Sequence, residues 1–165
     1  MNAIVAISEN WGIGCDNSML FHISADLKRF RSLTIGKAVV MGHHMLLSMP
    51  GGMPLPERDN IIISSNQELK IGEASVMSMA EFLQWLETHN SEDVLLIGGA
   101  SLYAQLLSRC RKVFLTKVYN TSVEPDCFFP NLDKMENWKI ESVSDIMEEN
   151  GIHFQYLDYI NASPI

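Results

Sequence analysis

Short β-rich runs alternate along the chain with helical stretches, and that alternation constrains the fold more than any other feature. NAIVAIS (2–8), KAVVM (37–41), NIIISS (60–65), SVMSM (75–79), DVLLIGG (93–99) and KVFLTKV (112–118) read as strands. Several are apolar at consecutive positions rather than alternate ones, the pattern of strands covered on both faces. Helical spacing falls over Ser24 to Leu33, His43 to Met49, Met79 to Thr88 and Ser101 to Leu107. The tail differs: WKIESVS (138–144) and IHFQYLDYI (152–160) alternate around Asn150-Gly151 and predict an antiparallel hairpin. The expected fold is α/β in three layers, with a central mostly parallel sheet, helices on both faces and a C-terminal antiparallel hairpin.

A chain of 165 residues, 47% of them hydrophobic, suits a single domain over 1–165 with a real core. Its longest apolar runs, such as AIVAI (3–7) and VLLI (94–97), are too short to span a bilayer. The N-terminus lacks the pattern of a signal peptide, so a cytoplasmic address and no membrane partner are expected. Cys15, Cys110 and Cys127 are widely spaced and form no C-x-x-C, which supports neither a disulfide framework nor a metal site. The net charge of −8 argues against a nucleic-acid partner.

Four segments could carry chemistry. In IGGASLY (97–103) a strand runs into Gly98-Gly99 and then a helix; a tight turn explains this, and so does a phosphate site made of backbone N–H groups. NWGIGCDN (10–17) holds Gly-x-Gly after a strand but lacks the third glycine and the following helix of a dinucleotide fingerprint. The stretch 9–23 reads as a long irregular loop, and its Trp11, Ile13, Met19, Leu20 and Phe21 suggest that it closes over something. Ser24 is expected to cap the first helix, with Asp26 in its first turn and Leu27, Phe30 and Thr34 sharing one face. Asp26 is then either a helix-start carboxylate favoured by the macrodipole or a half-buried acid in an apolar cleft. Arg58, in PLPERDN (54–60), is either a solvated surface charge or a guanidinium fixed to clamp a carboxylate.

Taken together, WGIGCDNSMLFHISADLKRF (11–30), VVMG (39–42), SMPGGMPLPERDNIIIS (48–64), IGGASLY (97–103), LTKV (115–118) and DCFFP (126–130) resemble bacterial dihydrofolate reductase in order and spacing over nearly the whole chain. The resemblance implies the fold of that family, NADPH as cofactor, dihydrofolate as substrate, antifolates as inhibitors, no metal and a monomer. It assigns Asp26 to the pterin N3 and 2-amino group and to promoting protonation at N5, with Thr116 hydrogen-bonding that carboxylate and Phe21 beside it in the lid. Arg58 matches the clamp on the α-carboxylate of the glutamate tail. Ile4, Val5, Ala6, Leu27, Phe30, Met49, Leu55 and Ile97 match the walls of the substrate pocket. Ala6, Ile13, Gly14, Asn17 and Met19 match the lid and nicotinamide site. Gly42, His43, His44, Met45, Ser64, Ser65, Ile97 and the run Gly98, Gly99, Ala100, Ser101, Leu102, Tyr103 match the rest of the cofactor site. The reaction implied is hydride transfer from nicotinamide C4 to pterin C6.

The sequence departs from the family pattern at the lid, where Leu20-Phe21 replaces Pro-Trp, and at GHHM (42–45), where G-R-x-T is usual. Ser101 also stands where a basic residue is frequent. His43 is therefore expected to be the titratable contact to the cofactor phosphates, so that NADPH affinity falls as pH rises through neutrality; an arginine would keep its charge. A smaller preference for NADPH over NADH follows. Two rival readings are a reductase of another heterocycle, such as a riboflavin-pathway pyrimidine, and a paralogue that binds folate without turnover.

Overall fold

The computed structural model describes residues 1–165 except 16, 17, 20, 21, 49, 67, 122 and 123. Its elements run β1 (Asn2–Ser8), β2 (Gly12–Cys15), β3 (Ser18–Met19), α1 (Ser24–Thr34), β4 (Ala38–Gly42), α2 (His43–Ser48), β5 (Asp59–Ile63), β6 (Ser75–Met77), α3 (Met79–Glu87), β7 (Val94–Gly98), α4 (Ala100–Leu106), β8 (Lys112–Tyr119), β9 (Cys127–Phe128), β10 (Trp138–Val143), β11 (Met147–Glu149) and β12 (Ile152–Asn161). Among the described residues the main sheet has the order β10-β12-β8-β1-β7-β4-β5-β6, with β11 added on β12. Pairing is parallel from β8 across to β6 and antiparallel at β12, so the expected architecture holds. No helix among the described residues is long and apolar enough to cross a membrane.

Three sequence expectations need correction. The stretch after β1 is not wholly irregular: β2 pairs with β3 and with β9, giving a small second sheet in the order β3-β2-β9. Strands this short carry little periodicity of their own and are held by a partner more than a hundred residues away. The hairpin turn at Asn150-Gly151 joins β11, not β10, to β12, because the chain inserts one more short strand at 147–149. Ser24 does not cap α1. The cap position falls on Ile23 with no side-chain hydrogen bond, and Glu149 supplies the acceptors instead, taking the Ser24 amide at 2.6 Å, the Ser24 hydroxyl at 2.6 Å and the Ala25 amide at 3.1 Å. A carboxylate at a helix start also meets the positive end of the dipole.

The core is unequal on the two faces. On one, a continuous cluster joins β1 residues Ala3, Val5 and Ile7 to Leu115, Phe82, Leu102, Leu106 and Phe129. On the other, burial splits in two. One cluster lies over β4, β5 and β7 (Val39, Met41, Ile62, Ile97) with Leu46 of α2, and Phe30 of α1 packs against it. A second joins Ile23 just before α1 to Val118 and Phe154, with Ala25, Met147 and Tyr156 against it. Helix α1 touches both, and between them, over β1, Ile4 and Ala6 remain only half-buried. That gap lies where the parallel strands approach their carboxyl ends, the usual position of a ligand crevice in α/β sheets.

Candidate active site

Asp26 projects from the first turn of α1 into the gap. The register row Ala6–Thr116–Tyr156 crosses β1, β8 and β12 beneath it. Thr116, 3% exposed, donates its hydroxyl to Asp26 Oδ1 at 2.5 Å. Burial pushes the Asp26 carboxyl above its ordinary range, against the opposing pull of the Thr116 hydrogen bond and the Arg29 charge. Of the two readings of Asp26 open in the sequence, the half-buried acid is the one observed. Among the described residues Oδ2 takes no hydrogen bond, and a carboxylate with one oxygen fixed and one to spare suits a planar N–H edge.

Arg58 lies at the other end of the same helix. Its Nε donates to Thr34 Oγ1 at 3.0 Å and its Nη1 to the Pro56 carbonyl at 2.9 Å. The loop it sits on is fixed by Asn60, a buried residue that the sequence reading missed. The Asn60 amide accepts from the Leu55 N–H at 2.9 Å and donates to the carbonyls of Leu55 at 2.8 Å and Arg58 at 3.1 Å. An asparagine opening an apolar strand, two residues after an arginine, was the available signal. Asp26 and Thr34, which anchors Arg58, are eight residues apart on α1, about 12 Å along the helix axis at 1.5 Å per residue.

The structure brings Phe30, Leu55, Met45 and Ile97 into one apolar cluster, whereas Leu27 stands 48% exposed at the rim. Other expected site residues turn away. Val5 is 6% exposed within the main core, so it can offer a ligand only its backbone. The side chains of Leu102 and Tyr103 are also in that core, and the Tyr103 hydroxyl donates to the Ile4 carbonyl at 2.6 Å. Trp11 is not lid lining: it is 8% exposed and stacked on Phe129 with ring centroids 6.3 Å apart. Ile13 leans on the same core, and Gly14 pairs across β2 with Met19 and Cys127. Phe21, Asn17 and Met49 lie outside the described residues.

The glycine turn closes the opposite side of the gap. Met41 of β4 pairs with Gly98 of β7, so Gly42-His43 and Gly98-Gly99 emerge side by side, each leading into a helix. Gly98 has φ +123, and a Cβ there would meet Tyr103 at 3.3 Å, so only glycine fits without strain. Gly99 is the cap residue of α4 with no side-chain cap, and a Cβ on it would meet nothing within 4 Å. First-turn N–H groups lacking intrahelical acceptors are donors of the kind that suits a pyrophosphate. The His43 and His44 rings sit 6.4 Å apart at the start of α2, with Ser64 and Ser65 just past the end of β5. These residues fit a dinucleotide phosphate chain.

A half-buried acid beside an apolar cluster, with a glycine turn at the carboxyl ends of parallel strands, places the chain in the class of α/β proteins that bind ligands at that edge of the sheet. A family model for dihydrofolate reductase matches residues 1–161. The dihydrofolate reductase of Haemophilus influenzae is 39% identical over 141 residues, covering 84% of this chain and 82% of that one. That of Bacillus subtilis is 31% identical over 158 residues, covering 94% and 91%. A solved structure of the Enterococcus faecalis dihydrofolate reductase complexed with NADP(H) and RAB-propyl superposes with a TM-score of 0.86 at 28% identity, covering 97% of this chain and 95% of that one. The chain belongs to the dihydrofolate reductase family.

Proposed function

We propose that the chain reduces 7,8-dihydrofolate to tetrahydrofolate with NADPH, and that Asp26 and Arg58 are the two fixed points that recognise the substrate. The observation that carries this reading is the helix α1, which bears a half-buried carboxylate at one end and, about 12 Å further along its axis, the Thr34 hydroxyl that braces the Arg58 guanidinium. Asp26 grips the amidine-like edge of the pterin and biases it toward the N5-protonated form, Thr116 fixes the carboxylate, and Arg58 pairs with a glutamate carboxylate. Phe30, Leu55 and Ile97 exclude water from the ring. NADPH, when bound, supplies the hydride. Gly98, Gly99, Ala100 and Ser101 offer backbone donors to its pyrophosphate, with His43, His44, Ser64 and Ser65 placed for the adenosine-side phosphate. Phe21, Asn17, Met19 and Met49 complete the lid and pocket in this reading, which is of a monomer in the cytoplasm acting without nucleic acid or membrane.

The test is NADPH oxidation dependent on dihydrofolate, run against a riboflavin-pathway pyrimidine substrate and repeated with Asp26→Asn. Turnover of dihydrofolate alone, falling by about 10²–10⁴-fold in the variant, is the expected result. Turnover of the pyrimidine instead, or an unchanged rate in Asp26→Asn, overturns the reading.

A further inference from the structure

Arg29 follows Asp26 by three residues on α1, so both lie on one face of the helix and the longer side chain leans back toward the N-terminus, over the Asp26 level. Its position is doubly fixed. Nη2 pairs with Asp158 Oδ1 at 3.0 Å, and the guanidinium carbon lies 4.0 Å from the centre of the Tyr156 ring. Both ion-pair partners are only 21% exposed. Tyr156 is the cross-strand neighbour of Thr116, the residue that donates to Asp26. The cation is thus held against the same strand pair that holds the acid, at a depth where water screens poorly.

Among the described residues the charged and titratable groups facing Asp26 are few. On its own helix there is Arg29. From β12 come Tyr156 and Asp158, from β8 only the neutral Thr116, and at the start of α1 the Glu149 carboxylate lies against Ser24, with Lys28 facing it. Asp158 also accepts from Ser142 of β10 at 3.1 Å, on the side of β12 away from β8. Asp158 therefore pairs with the guanidinium from β12, while Asp26, on α1, feels the same charge through space without pairing with it.

We infer that Arg29 is a positioning residue for the acid of this site, a guanidinium fixed on the same helix face whose charge helps keep Asp26 ionised. The inference rests on the reading of Asp26 as the group that grips the substrate. Burial alone would leave that carboxyl protonated over a wider range, and a neutral acid grips a pterin edge less strongly. Arg29 opposes burial and keeps the anion in place. Removing its charge favours proton uptake at Asp26, and equally at a pterin nitrogen paired with it, so the coupled pair titrates higher whichever partner carries the proton.

The test uses the free enzyme labelled with carboxyl-¹³C aspartate, the Asp26 resonance being assigned by its loss in Asp26→Asn. In Arg29→Met, and in Arg29→Gln should the first variant not fold, the Asp26 titration midpoint moves to higher pH, whereas Arg29→Lys stays close to wild type. The alkaline limb of dihydrofolate reduction shifts in the same order, each unit being worth about tenfold in rate there. An unmoved midpoint in both neutral variants, or an equal shift in Arg29→Lys, overturns the inference. If Asp26→Asn reduces dihydrofolate at the wild-type rate, the reading of Asp26 as the group that grips the substrate falls while the titration result stands. If Asp26→Asn is inactive and both neutral variants titrate as wild type, only the role of Arg29 falls.

Discussion

The two sides of the cleft are held by opposite means. On the acid side every working group is a side chain braced by another: Asp26 by Thr116, Arg58 by Thr34 and the Pro56 carbonyl, and the Arg58 loop by Asn60. On the glycine side the proposed donors are bare backbone, at Gly98 and Gly99 where strand gives way to helix, with histidines and serines nearby in place of arginines. Recognition by side chains can be removed one residue at a time. Recognition by backbone is lost when a Cβ is added.

Arg58→Gln tests the first side most severely. It should raise the KM for dihydrofolate by about 10- to 100-fold, the worth of a charge-assisted hydrogen bond, and leave a pterin lacking the glutamate unaffected. An equal loss for both substrates would mean that Arg58 only supports the loop. Gly98→Ala tests the second side. At φ +123 and in contact with Tyr103, the alanine should cost about 1–3 kcal/mol of stability, read by thermal unfolding, and weaken NADPH more than dihydrofolate in direct binding titrations.

A smaller effect separates the two sides by sign. Because the folded Asp26 carboxyl is raised by burial, its contribution to stability is favourable below the unfolded carboxyl pKa and is lost as pH rises through the folded one. Asp26→Asn should therefore melt higher than wild type at neutral pH, with the gain vanishing in acid, even as activity collapses. A melting temperature lowered at neutral pH would place the carboxylate among the stabilising groups. The smallest effect is expected at His43→Arg, which should tighten NADPH in direct binding titrations by adding a permanent guanidinium. Equal affinity in variant and wild type would assign phosphate recognition to the backbone and the serines alone.

What the sequence made legible was local. The strands of the parallel sheet, the glycine turn and the pairing of an acid with an apolar helix face follow from periodicity and from chemistry within a few residues. The misses were contacts made at long range. Glu149 caps α1 across 125 residues, so the start of that helix carries no capping signal of its own. Trp11 reads as lid lining, yet it packs on Phe129, a partner supplied by a distant turn. Asn60 resembles a polar strand end until its amide is seen closing on Leu55. Leu102 and Tyr103 lie in the run that matches a cofactor turn, but helical geometry carries their side chains round into the core.

The divided packing on the α1 face has a thermodynamic consequence. Where the opposite face has an unbroken interior, this one lacks a middle over Ile4 and Ala6, and a flat ring seated there would act as the absent piece of core, joining two apolar halves that are otherwise linked by one helix. Any tight occupant of that seam, whether turned over or not, should make the protein harder to unfold in proportion to the logarithm of its concentration above its dissociation constant. Conversely, a bulkier residue in place of Ala6 would complete the interior permanently, giving a sturdier molecule with nowhere to put its substrate.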